Sequence, residues 1–408
     1  MSKKTSVPPR STITLDSVDG DMEVGRHATV KASMPQSKVT VSGTVYCEGD
    51  DVFECNLTAE NLEAEDGVKV NGNLEVSQEV KVEDGNLEVY GNMSAGEVDV
   101  GDFLHVSGNL SARNVDIGGR LRVDGTVKVE DVDVGGSFEG NDEVTADRID
   151  VGGSLKIRSK TDIRSLDVGG AADVAGGRIR EIDVGGSFES TSPLEFETID
   201  VGGKVRLVGK NKGGDVDVGG SLRVEGDLEF REVEVGGTVE ISGSAQGARV
   251  DVGGRIGIGG SLKLSGRLDV GGRVKATGDV VAGDVDIGGE IDARKITAEE
   301  RVRVGGRIAT NEGTTAHAIE IGRNGEVRGS MKAARIIIER DARVENVYGK
   351  EILVHSGATT GSLYGERIVV DSHCRVNGEV QYTGELRVAE DSSLSNRPQK
   401  VDKLPFQM

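Results

Sequence analysis

Apolar and polar residues alternate along most of this chain in short runs, and glycine separates the runs. Ser-Leu-Lys-Ile after Gly152-Gly153 puts Leu155 and Ile157 on one side, and Ser-Leu-Arg-Val after Gly219-Gly220 does the same with Leu222 and Val224. A weaker alternating pair follows, as in Asp-Leu-Glu-Phe at 227–230. Alternation with period two marks strands that turn one face inward. A glycine often closes the run, as at Gly108, Gly125, Gly209 and Gly226. At such a corner a positive φ meets no Cβ clash.

The runs repeat around one motif, aliphatic-Asp-aliphatic-Gly. Its acidic position falls at Asp99, Asp116, Asp133, Asp150, Asp167, Asp183, Asp200, Asp217, Glu234, Asp251, Asp269, Asp286, Arg303 and Glu320. The steps are 17 residues, apart from one of 16 and one of 18. A 17-residue unit is too short for a helical hairpin repeat, which takes more than about 30. It suits one turn of a β-solenoid with three short strands. The expected fold is therefore all-β, a three-sided β-solenoid (β-helix) of about 17 residues per coil and roughly 22 coils. At about 4.8 Å per coil this makes a rod of about 105 Å, in which each coil leans only on its neighbours. The predicted organisation is a flexible tail at 1–14, N-terminal coils at 15–98, the regular block at 99–322, further coils at 323–390 and a second flexible tail at 391–408.

Composition fits a narrow core. With 408 residues the chain would otherwise suggest two or three globules, yet aromatics are 3%, Trp is absent and Gly numbers 61. Val, Ile and Leu fill a thin interior without large rings. The net charge of −21 repels phosphate backbones, so nucleic acid is not an expected partner. No run of 18 apolar residues and no secretory signal is present. No transmembrane segment is expected, and peripheral membrane contact stays open. Three cysteines, Cys47, Cys55 and Cys374, suit reduced thiols and a cytoplasmic location.

The acidic column is the first candidate surface. Asp must point outward if both aliphatic neighbours point inward. Neighbouring carboxylates about 5 Å apart repel by about 0.8 kcal/mol in water. Two readings compete for Asp116, Asp133, Asp150, Asp167, Asp183, Asp200, Asp217, Asp251, Asp269 and Asp286. In one, each carboxylate accepts from the following Gly amides and keeps the face soluble. In the other, the ladder collects divalent cations or a basic partner. Basic residues at Arg122, Lys156, Arg206, Arg223 and Lys275 define a neighbouring face that either pairs with acidic faces of other molecules or is ordinarily solvated.

The second candidate is apolar. In the last coils the outward column reads Ile337, Leu353 and Val369, before Arg387. Such a patch marks an interface, unless the tail residues Leu404, Pro405 and Phe406 fold back over it. The interface set is Ile337, Leu353, Val369 and Phe406.

Catalytic signals are weak. Hexapeptide acyltransferases use an 18-residue turn and a catalytic His, while the five His here sit on scattered coils. The nearest approach to a phosphate loop, Val-Gly209-Lys210-Asn, has the wrong spacing. Neither enzyme activity nor a cofactor is expected.

From about 316 to 390 the chain reads Ile-Glu-Ile-Gly-Arg-Asn-Gly-Glu-Val-Arg-Gly-Ser, then Ala-Arg-Ile-Ile-Ile-Glu-Arg-Asp-Ala-Arg-Val, then Glu-Ile-Leu-Val-His-Ser-Gly-Ala. This stretch resembles the bactofilins, a polymer-forming cytoskeletal family. The resemblance implies a right-handed, three-sided β-helix and filaments that form without nucleotide. The long Asp-Val-Gly-Gly block departs from the short core typical of that family. The expected function is a self-assembling cytoskeletal scaffold, a homopolymer built through end and face contacts. The alternative is a monomeric or dimeric solenoid that acts as a binding or adaptor protein.

Overall fold

The computed structural model describes residues 4–34 and 37–405. Among the described residues no helix forms; 62% of residues lie in strands, which pair in parallel, so the fold is a β-solenoid of about 23 turns. The chain divides into two units, Met1–Gly203 and Lys204–Met408, each built from the same coil.

In the first unit a representative coil comprises Glu97–Val100, Phe103–Val106 and Leu110–Ser111. The next coil, Asn114–Ile117, Arg120–Val123 and Val127–Lys128, stacks on it in register. Each strand of one coil is thus paired in parallel with its counterpart in the next. In the second unit Asp215–Val218, Ser221–Glu225 and Leu228–Glu229 carry Glu232–Val235, Thr238–Ile241 and Ala245–Gly247 in the same way. Inside, the stacked positions compensate one another in volume. Phe138, Leu155, Ala172 and Phe188 form one buried column, in which the small Ala172 lies between two larger neighbours. Close packing without voids requires such alternation.

The Gly-Gly corner has a steric origin. Its amides donate to backbone carbonyls one coil earlier, as Gly118 does to Val100 (3.0 Å) and Gly135 to Ile117 (2.9 Å). The stacked backbones then pass so close that a Cβ at Gly118 would lie 2.1 Å from the Gly101 oxygen, and one at Gly152 would lie 2.4 Å from that of Gly135. The closing glycines are of two kinds. Gly209 and Gly226 have the expected positive φ, 90° and 147°. Gly108 and Gly125 do not; there a Cβ would meet the carbonyl of the preceding coil at 2.6 Å and 2.5 Å.

The solenoid extends further at both ends than the sequence boundaries of 15 and 390. Lys4–Val7 pairs with Asp21–Val24, and Thr12–Thr14 with Thr29–Lys31. Ser393–Leu394 pairs with Arg375–Val376, and Gln399 and Lys400 with Gln381 and Tyr382. Both predicted tails are therefore partly solenoid. They lack the Asp-Val-Gly-Gly motif, but the backbone of an exposed end coil still offers hydrogen bonds to a following strand.

The outer coils also turn differently. From Ile321 onward the corner is longer and carries a left-handed residue at Asn324, Asp341, Gly357 and His373, with φ of 59°, 61°, 80° and 61°. His27 and Asp50 (62° and 54°) mark the same corner near the N-terminus. The residue after it plugs the core, as Ala28, Ala342, Ala358 and Cys374 do.

At the Asp50 corner the plug is Asp51, which is fully buried. Its carboxylate accepts from the amides of Ala28 (2.9 Å) and Gly49 (3.1 Å). Burial pushes its pKa up to about 6, against the opposing pull of those two amides. The folded value exceeds the unfolded one, so the associated stability is complete below about pH 4 and is lost as pH rises through about 6. Asp51→Ala should be less stable than the unmodified protein at pH 5, and the gap should narrow by about 1 kcal/mol by pH 7. Urea titrations at the two pH values measure this, and a gap independent of pH would contradict it.

Candidate functional site

The acidic ladder is one continuous column within each unit. In the first, Asp99, Asp116, Asp133, Asp150, Asp167, Asp183 and Asp200 lie in successive register. In the second, the column runs Asp217, Glu234, Asp251, Asp269, Asp286, Arg303 and Glu320. The flanking aliphatics, such as Val98 and Val100, are buried while Asp99 is exposed, so strand alternation alone turns each carboxylate outward.

These carboxylates do not serve the Gly amides, which the preceding coil's carbonyls already occupy. That part of the solubility reading is corrected. Nor do they converge on a cation, since among the described residues no group of three or more His, Cys, Asp or Glu is placed to hold a metal ion. Crowding shows instead. Asp116 has a raised pKa, chiefly from partial burial and then from Asp133 and Asp99. Asp183 is raised in the same way, with Asp167 and Asp200 as its neighbours.

The two units carry very different charge. Residues 1–203 hold 39 of the 70 acidic side chains against 19 of the 49 basic ones, and residues 204–408 hold 31 against 30. The first unit is thus −20 and the second −1. On the ladder face of the second unit arginines answer the carboxylates: Arg267 reaches Asp269 (2.5 Å) and Asp286 (3.6 Å), and Arg303 reaches Glu320 (3.6 Å). In the first unit Arg148 reaches Asp150 (3.3 Å).

The expected basic face is not basic. The column that contains Arg122 and Lys156 continues through Glu139, Asp173 and Glu189, and that of Arg206 and Arg223 continues through Glu240. Its arginines pair within their own face, Arg122 with Asp124 (3.1 Å) and Arg206 with Glu225 (3.1 Å). Lys275 stacks between Gly257 and Asp292, so among the described residues none of the five expected basic residues belongs to a continuous cationic stripe.

The apolar column is in place. Glu320, Ile337, Leu353, Val369 and Arg387 stack in register on Thr314–Ile321, Met331–Ile338, Val347–Val354, Leu363–Val370 and Val380–Val388. The residues on either side, such as Ile352 and Val354, are fully buried, while Ile337, Leu353 and Val369 are only half-buried. The proposed cover is partly visible. Ser395 donates to Val376 and Val401 to Tyr382 (2.9 Å each), so this segment continues the last coil. Phe406 lies outside the described residues.

Two features of this surface escaped the sequence reading. Two residues before the apolar column stand Arg335, Glu351, Arg367 and Glu385, stacked in register with alternating charge. Successive members form ion pairs at 3.5, 3.4 and 3.2 Å. Earlier in the same strands Tyr348 and Tyr364 stack with centroids 4.9 Å apart and planes 7° apart. The signal for the charged column was the residue before each aliphatic-x-aliphatic run, at steps of 16, 16 and 18.

The remaining candidates are structural. Cys47, Cys55 and Cys374 are buried free thiols, and burial raises the pKa of each, Cys55 to about 11. A groove of about 620 Å³ on the first unit is lined by charged side chains, including Lys4, Glu23, Glu63 and Lys81, beside Tyr46. Among the described residues no helix is long and apolar enough to cross a membrane.

No family model, curated protein or solved structure matches this chain.

Proposed function

We propose that this protein is a non-enzymatic scaffold that assembles with copies of itself, without nucleotide, in the manner of the bactofilins that its C-terminal third resembles. The right-handed, three-sided winding of that family and a cytoplasmic location belong to this reading. One observation carries it: the outward column that bears carboxylates through most of the solenoid turns apolar at Ile337, Leu353 and Val369 and stays half-exposed there. Apolar surface of this kind, maintained over adjacent coils, is a contact surface.

The ends support the same reading. In the last coil Leu386, Val388 and Leu394 are half-buried, whereas Ile368, Val370 and Val376 one coil earlier are fully buried. At the other end Ile13 is half-buried and Val30, stacked next to it, is fully buried. Half-buried apolar side chains on an outer coil are surface that a further strand can cover.

The rival reading, a binding or adaptor protein, draws on the −20 charge of the first unit, which would attract a basic partner.

Pelleting of the purified protein with and without ATP, GTP and Mg²⁺ tests the proposal. The pelleted fraction should be the same in all mixtures. A requirement for hydrolysable nucleotide would overturn it.

A further inference from the structure

The charged column beside the apolar one has an order as well as a composition. From Arg335 through Glu351 and Arg367 to Glu385 the signs alternate, and the four charges cancel. Read backwards, the sequence of signs is the opposite one. A second copy laid antiparallel on the first therefore meets it with complementary charge at every row.

We propose that this face pairs with the same face of a second copy, antiparallel, about a two-fold axis that runs along the strands between the Leu353 and Val369 rows. The proposal rests on the self-assembly reading only in taking the occupant to be another copy of the chain. In this register Arg335 lies opposite Glu385 of the second copy, and Glu351 opposite its Arg367. Leu353 meets Val369, and Ile337 meets the aliphatic stem of Arg387, which long charged side chains lend to apolar neighbours. Shifting the axis by half a row, onto the Leu353 row, places Glu351 on Glu351 and Arg335 on Arg367. Like charges then meet at those rows and Glu385 meets Ala318, while an axis shifted by a whole row pairs only two members of the column, so the register with its axis between Glu351 and Arg367 is the one that pairs all four.

The charges already pair within each copy, at 3.2–3.5 Å. On contact each gains a second opposite neighbour, and none is left buried alone, the costly case for an ion. The contact is isologous and closes as a dimer. The acidic ladder of the first unit excludes itself from such pairing, because its carboxylates would face carboxylates. The stacked Tyr348 and Tyr364 stiffen the adjoining segment of the same strands.

The test combines association with orientation. Sedimentation equilibrium of the soluble protein should show a dimer, and Glu351→Arg should weaken it at least tenfold. The double variant Glu351→Arg/Arg367→Glu restores every cross-copy pair in this register and should restore the dimer, which separates lost contact from lost folding. A spin label on Asp251→Cys reports orientation, since the native cysteines are buried. Asp251 lies six rows before Leu353, so the antiparallel dimer puts the two labels 13 rows, about 60 Å, apart. A parallel dimer would put them within about 20 Å and overturn the proposal. A monomer at all concentrations, or a dimer indifferent to Glu351→Arg, would also overturn it. Filaments without this dimer would leave the scaffold reading standing and sink the inference. The 60 Å dimer without filaments would do the reverse.

Discussion

Gly254→Ala is expected to destabilise the protein by about 3 kcal/mol, at the upper end of the range for forcing atoms into a packed site. Gly257→Ala, three residues later in the same coil, is expected to leave it unchanged or up to about 1 kcal/mol more stable. A Cβ at Gly254 would stand 2.3 Å from the Gly237 oxygen, while one at Gly257 meets nothing within 4 Å. Neither position has a positive φ, so the contrast isolates close approach from backbone conformation. The Gly237 carbonyl cannot retreat, because it accepts from the Arg255 amide at 3.2 Å. Urea unfolding of the two variants measures the difference. Equal effects would mean that coil stacking does not dictate the Gly-Gly corner.

Leu353→Asp is expected to abolish assembly and leave the fold intact. The substitution extends the acidic ladder into the stretch where the column turns apolar. The solenoid should tolerate it, since Ile352 and Val354 hold the core and remain buried. Burying one large aliphatic side chain contributes about 1.5–3 kcal/mol, and a contact made by a copy of each partner counts it twice. Association should weaken by two orders of magnitude or more. Ile352→Asp is the contrasting case and should unfold the coil, because a carboxylate in that position has no partner. Circular dichroism with pelleting distinguishes the two. If Leu353→Asp pellets as the unmodified protein does, the apolar column does not carry the assembly.

The solenoid was legible because its evidence is local and repeated. Alternation turns Asp99 outward and Val98 and Val100 inward, and a period of 17 stacks Asp150 between Asp133 and Asp167. The corner was legible as glycine and not in its cause. A positive φ is a property of one residue, whereas the 2.1–2.6 Å approaches belong to two coils and depend on how closely they stack. The ends were misjudged for a related reason. Thr12–Thr14 and Gln399–Lys400 carry no repeat motif and are held by the backbone of the adjacent coil. The supposed basic face failed because its arginines and lysines were read without the residues stacked between them, Glu139, Asp173 and Glu240 among them. Following one outward column at the coil period, rather than collecting residues of one sign, also brings out Arg335, Glu351, Arg367 and Glu385.

Asp51 shows the same limit. The sequence presents one acid among many in an acidic stretch. Only its corner, shared with Ala28, Ala342 and Ala358, makes it a carboxylate in a position built for a small apolar plug. Its raised pKa follows from that placement.

Self-assembly is the central claim, and electron microscopy of the purified protein in nucleotide-free buffer tests it most directly. The unmodified chain should form filaments or bundles, and Leu353→Asp should give dispersed particles at the same concentration. Dispersed single particles from the unmodified chain, over the concentrations and salt levels at which it stays folded, would contradict the scaffold reading and favour the binding protein instead.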